Sequence, residues 1–120
     1  MDLKNMDYDE KRELAENPST PLDILRDLAK DGSASVRATV AKNPSTPIDV
    51  LRDLAQDEHW LVRWNVAENP NVSSKLLVML FEYEKSLREP HEYVIQALYE
   101  NKNLPYIVKV IIETLFGEML

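Results

Sequence analysis

Cysteine is absent from this 120-residue chain, and glycine occurs only twice, as Gly32 and Gly117. Without thiols there is no disulfide frame, no thiolate nucleophile and no cysteine-held zinc or iron–sulfur cluster. Two distant glycines cannot form a phosphate-cradling loop, which needs several close together to bring backbone N–H groups onto an anion. Histidine is nearly as scarce. His91-Glu92-Tyr93-Val94-Ile95 opens like a zinc-protease helix but puts Ile95 where the second ligand belongs, and the only other histidine is His59. These residues define no catalytic centre, no metal and no cofactor, so the chain is expected to be no enzyme.

A surplus of positive charge is also missing. The net charge is -7, from 14 basic and 21 acidic residues. Phosphate affinity grows with the number of Lys and Arg contacts, so nucleic acid and anionic membranes are disfavoured as general partners. The longest apolar segment, residues 106–116, is interrupted by Lys109 and Glu113 and is too short to span a bilayer. The polar start Met1-Asp2-Leu3-Lys4-Asn5 lacks the apolar core of a secretory signal. A soluble cytoplasmic protein is expected.

What the chain does contain is repetition. Asn17-Pro18-Ser19-Thr20-Pro21 recurs 26 residues later as Asn43-Pro44-Ser45-Thr46-Pro47, and Asn69-Pro70 opens a third copy after another 26. The match runs on through Leu25-Arg26-Asp27-Leu28-Ala29 and Leu51-Arg52-Asp53-Leu54-Ala55, through Asp31 and Asp57, and through Val36-Arg37 and Val62-Arg63. A period of this length marks stacked supersecondary units.

Each unit reads as helix, short turn, helix, then an Asn-Pro loop. Thr20 and Thr46 are expected as N-caps with Pro21 and Pro47 at the first helical position, and Asp23 is placed to complement the helix dipole. Leu22, Leu25, Leu28 and Ala29 fall on one face, with Gly32 as the stop. The second helix carries Val36 and Val40 and ends near Asn43, because Pro44 disfavours helix in the residue before it. Further on, Ser73 or Ser74 starts a helix through Leu76, Leu77, Leu80 and Phe81, residues 82–89 form an insertion, and Pro90 opens the next helix. A last helix spans about 105–116. The architecture is all-α: a single solenoid domain of about four helix pairs, at about 14–39, 40–65, 66–97 and 98–120. Asn17, Thr20, Asp31, Asn43, Thr46, Asp57 and Asn69 serve the repeat itself.

These residues resemble the leucine-rich repeat variant family, whose units read approximately Val-Ala-x-Asn-Pro-x-Thr-Pro, then Leu-x-x-Leu-Ala-x-Asp, then Val-Arg. The resemblance is strong over residues 14–70 and only in outline beyond. It implies a right-handed superhelix related to HEAT and armadillo stacks, and a habit of binding macromolecules. The HEAT-like spacing of Asp31 and Arg37, and of Asp57 and Arg63, implies a hydrogen-bonded ladder between neighbouring units. The cysteine-ligated iron–sulfur module of the best-known family architecture has no counterpart in a chain without cysteine.

The copies disagree most at Trp60 and Trp64, where the preceding unit has Ala34 and Ala38. The tryptophans share one helical stripe, about 200° round from Val62 and Val66 at the ideal turn per residue. Two readings stand side by side: packing against the helix after Ser73, or an exposed aromatic anchor for a partner. With Arg37 and Arg63 they form the expected partner-binding set. The last helix, apolar on more than one face, is expected to pack closely, leaving the chain a monomer or a homodimer joined through that helix. A protein-interaction or scaffold module is the expected function. HEAT-like nucleic-acid recognition stands second, and a small-ligand or chromophore-handling role third.

Overall fold

The computed structural model describes residues 2–120, which form eight α-helices, a 3₁₀ turn at either end and, among the described residues, no strand. The helices are α1 (Tyr8–Glu16), α2 (Leu22–Leu28), α3 (Ala34–Lys42), α4 (Ile48–Leu54), α5 (Trp60–Glu68), α6 (Ser74–Ser86), α7 (Glu92–Glu100) and α8 (Tyr106–Phe116). They stack into an elongated body of 48 × 24 × 18 Å. The pairs α2–α3, α4–α5 and α6–α7 are flanked by α1, which occupies a second-helix place, and by α8, which occupies a first-helix place. Second helices pack directly on one another in the order α1, α3, α5, α7, while α2, α4, α6 and α8 mainly contact the helices next to them in the chain.

Small residues make the second-helix layer close-packed. Ala38 and Ala41 on α3 and Ala67 on α5 are buried beside Val36, Val40, Val62 and Val66. A short side chain lets two helix axes approach, and the branched valines fill the seam. From the other layer come Leu25, Leu28, Leu51, Leu54, Leu77, Leu80 and Phe81, all buried. Leu22 departs from the expected face: it is 50% exposed, as is its counterpart Ile48 at 45%. With only seven residues each, α2 and α4 present a narrow stripe, and their first residue falls outside it.

Four local expectations are corrected. Thr20 and Thr46 do not cap α2 and α4, whose N-caps are Pro21 and Pro47 with no side-chain hydrogen bond. Their hydroxyls instead point back and donate to the carbonyls of Leu14 and Val40, both at 2.6 Å, and both threonines are buried. Gly32 does not stop α2, which ends at Leu28 with Ala29 as its C-cap, and no described residue has a positive φ. Pro90 stands two residues before α7 and leaves the cap to His91. The expected insertion is mostly helix, since α6 runs 13 residues to Ser86. Ser73 is the N-cap of α6, its hydroxyl accepting from the Leu76 N–H, so the Asn71-Val72-Ser73 tripeptide serves as a helix entry.

The repeated asparagine has a job that reaches between units. Its Oδ1 accepts the N–H two residues on, at 2.8 Å in Asn17, Asn43, Asn69 and Asn101 alike, which sets the turn. Its Nδ2 donates into the preceding unit: Asn43 to the carbonyls of Ala15 and Asn17, Asn69 to those of Ala41 and Asn43, Asn101 to that of Ala67. Those carbonyls lie at the C-terminal ends of α1, α3 and α5, where the helix offers no intrahelical donor. Removing the amide orphans buried acceptors, at about 1–3 kcal/mol. Asn69→Ala is therefore expected to lower the unfolding free energy by about that much in a urea titration. Asn17→Ala, whose side chain is exposed and makes only the local bond to the Ser19 N–H, is expected to cost well under 1 kcal/mol.

Candidate aromatic interface and the charge ladder

The second ladder is ionic and also joins successive units. Lys11 reaches Asp31 at 2.7 Å, Arg37 reaches Asp57 at 2.8 Å, and Arg63 reaches Glu84 at 2.7 Å. Each arginine also donates to a carbonyl within its own unit, Arg37 to Asp31 and Arg63 to Asp57. The partners are thus the acid of the following unit and the backbone of the same one. Arg63 is 4% exposed and Glu84 is fully buried, with both guanidinium nitrogens Nε and Nη2 on the carboxylate. Glu84 also accepts the His91 N–H at 2.8 Å, which ties α5, α6 and the start of α7 together. Removing one member of such a buried pair strands the other charge, a loss of about 3–5 kcal/mol.

This geometry withdraws the partner-facing role expected for Arg37 and Arg63. A ligand would reach Arg63 only by breaking a buried bidentate pair, and the Arg37 side chain is 13% exposed with its nitrogens committed to Asp57 and Asp31. Lys11 and Glu84 were missed from sequence. Lys11 lies one repeat length before Arg37, so that signal was present. Glu84 was hidden because the third unit is longer and its acid sits inside a helix instead of in the turn.

Trp60 and Trp64 fare differently. Both are partly buried and packed against the hydrophobic core, and they also meet rings from the entry to α7. Trp60 stacks on His91 with ring centroids 4.2 Å apart and planes 7° from parallel. Tyr93 meets Trp60 edge-on at 5.6 Å and Trp64 at 6.1 Å, and the two tryptophans are 6.1 Å apart. His59 flanks the group at 5.9 Å from Trp60. The histidines are N-caps: Nδ1 of His59 accepts from the Leu61 N–H and Nδ1 of His91 from the Tyr93 N–H. Each occupies the capping place that Ser33 holds in the earlier unit. Sequence reading found the tryptophans by their mismatch with Ala34 and Ala38. It missed His91 and Tyr93 because the 32-residue offset of that unit hides their register.

Beside the rings, a groove of 340 Å³ runs between α5 and α7, lined by Trp64, Glu68, Tyr93, Gln96, Ala97 and Glu100. Tyr93 is 49% exposed. No cluster of three or more metal-ligating side chains occurs among the described residues, and none of their helices is long and apolar enough to cross a membrane.

The arrangement is that of a helical repeat array: paired helices, inter-unit asparagine and ion-pair ladders, and one surface on which the copies diverge. Residues 35–90, from within α3 to the entry of α7, match the family model described as the Leucine Rich Repeat Variant domain. No curated protein and no solved structure matches the chain.

The ladder carboxylates make acid sensitivity a readable quantity. Burial pushes the Asp57 carboxyl up. The hydrogen bond from Arg37, the N–H of His59 and the Arg37 charge together outweigh it and hold the group below its ordinary range. Asp31 is lowered in the same way, with Lys11 and the Ser33 N–H outweighing burial. A carboxyl depressed in the native state stabilises fully above its unfolded value, and that stability disappears as pH falls through the native value. The urea midpoint is expected to fall as pH drops through and below the ordinary carboxylate range. Asp57→Asn is expected to start from a lower midpoint at neutral pH and to show a shallower fall.

Proposed function

We propose that the protein is a non-catalytic interaction module of the cell interior that captures a protein partner on the face of α1, α3, α5 and α7, with Trp60, Trp64 and Tyr93 as the anchor. The observation that carries the reading is the aromatic cluster itself. Trp64 and Tyr93 line an open groove at positions where the preceding copies have Ala38 and Leu61. Aromatic residues that keep part of their area exposed beside polar groups are the usual energetic centre of an interface. The leucine-rich repeat variant segment adds support, since stacked repeats make long continuous faces suited to holding another chain. The close approach of α1, α3, α5 and α7 favours curvature of the stack toward that layer, which would make this face the inner one.

The test is affinity capture with the intact chain and with Trp64→Ala and Tyr93→Ala variants, with thermal unfolding run in parallel. Loss of a defined set of captured proteins, at a stability within about 2 kcal/mol of the parent, is expected. If capture is unchanged while stability falls, the rings are only packing and the reading is wrong.

A second contact is favoured by α8, the last helix of the stack. Only Val108 and Ile112 of it are fully buried, while Tyr106, Ile107 and Leu115 are 79%, 65% and 56% exposed. Ile107, Ile111 and Leu115 follow one another at helical spacing, an apolar stripe at the end of a body that otherwise closes such stripes by stacking. The packing of α8 is thus looser than its composition suggested, and a second copy of the chain is the occupant that fits an end face. Light scattering is expected to read a dimer, and Ile107→Lys with Leu115→Lys to return it to a monomer.

A further inference from the structure

We propose that the groove between α5 and α7 receives an arginine side chain from a basic, extended peptide segment of the partner. The guanidinium would lie against Trp64 and Tyr93 and pair with Glu68 and Glu100. The inference rests on the interaction reading above and specifies the chemistry of what is bound.

The groove has two unlike ends. At one, the rings of Trp64 and Tyr93 stand 6.1 Å apart, and Tyr93 is about half exposed. At the other are Glu68 and Glu100, the last residues of α5 and α7, with Ala97 between the ends and Gln96 hydrogen-bonded to Glu100 at 3.2 Å. Each α-helix carries a partial negative charge at its C-terminus, so a carboxylate there is in the wrong place for stability. Two such carboxylates line one groove, and neither forms an ion pair among the described residues. Glu16, at the matching place on α1, pairs with Arg12 on its own helix. Lys42, at the matching place on α3, faces a different groove, lined with Glu16 and Asn65, and pairs with neither Glu16 nor Glu68. The field at the far end of the aromatic groove is therefore negative and unanswered by the chain itself.

A cation is what both ends select. Aromatic faces attract a positive charge through their quadrupole, and Trp is the strongest of them. Carboxylates and helix C-termini attract it by charge. Arginine fits better than lysine because a planar guanidinium stacks on a ring while its fork of N–H groups spans two carboxylate acceptors. The peptide is expected to be basic beyond that one side chain, since outward carboxylates predominate on α1, α5 and α7.

The two tryptophans are the only ones in the chain, so intrinsic emission reports directly on the site. The full chain is titrated with a short peptide alternating arginine and glycine, with lysine–glycine and glutamate–glycine peptides as comparisons. A saturable emission change is expected with the arginine peptide. Affinity for the lysine peptide is expected to be about tenfold weaker, and no saturable change is expected with the acidic one. Glu68→Gln with Glu100→Gln is expected to weaken arginine-peptide binding about tenfold or more. The same change should leave the melting temperature equal or higher, because it removes carboxylates from helix C-termini. A purely structural role for the glutamates would lower it.

Three results overturn the assignment: no saturable change with the arginine peptide, equal affinity for the lysine peptide, or unchanged affinity in the double variant. If the arginine peptide fails while Trp64→Ala abolishes partner capture, the guanidinium assignment falls and the interaction reading stands. If Trp64→Ala leaves capture intact, the interaction reading falls as well.

Discussion

The C-terminal carbonyls of α1, α3 and α5 set the terms on which this chain folds. A helix cannot satisfy its own last carbonyl groups, and in a stack these ends are buried against the next unit, out of reach of water. The side-chain amides of Asn43, Asn69 and Asn101 solve the problem from the following unit, and their carbonyl oxygens fix the turns in which they sit. One residue thus sets the loop, closes the previous helix and aligns the two units. The threonine hydroxyls and the ion-pair ladder act along the same seam. Stability in such an array is a chain of nearest-neighbour terms, and the units are held by polar contacts of fixed geometry as much as by apolar contact.

The helical repeat was legible because its signals are local and occur more than once. Asn-Pro marks the ends of α3 and α5, Leu25 and Leu28 mark the buried stripe of α2, and each copy checks the other. What was not legible depends on direction and register. Thr20 has the composition of an N-cap, but whether its hydroxyl turns forward to α2 or back to Leu14 is decided by the neighbouring helix. Glu84 takes the ladder place of Asp31 and Asp57 from inside α6, a position that the longer third unit disguises. His91 and Tyr93 belong beside Trp60 and Trp64, yet they are about thirty residues away in a unit whose spacing had changed. The ladder that its spacing implied gave Arg63 a structural reading beside the partner-facing one, and the ion partner that buries it, Glu84, lay outside the repeated spacing.

The candidate site shows where the repeat rule is relaxed. Ala34 and Ala38 take little volume, while their counterparts Trp60 and Trp64 meet the rings of His91 and Tyr93 at the α5–α7 seam. The same seam has polar groups at the cap and carboxylates at the helix ends, so one stretch of surface combines apolar area, aromatic faces and negative charge. Those features fit an interface better than they fit a fold, because the carboxylates at helix C-termini work against the stability of the free chain.

The ionic ladder also has a last rung. One repeat step beyond Arg63, allowing for the longer third unit, the chain has Ile95, fully buried, in place of a cation. An array that grows by duplication of a 26-residue block keeps every rung intact if the new block enters among the early units, where each cation meets an acid one block ahead. A block added after α7 would present an acid to isoleucine and find no counter-charge. The charge pattern therefore gives the stack a direction: a 26-residue insertion among the early units keeps complementary charges, and one after α7 does not.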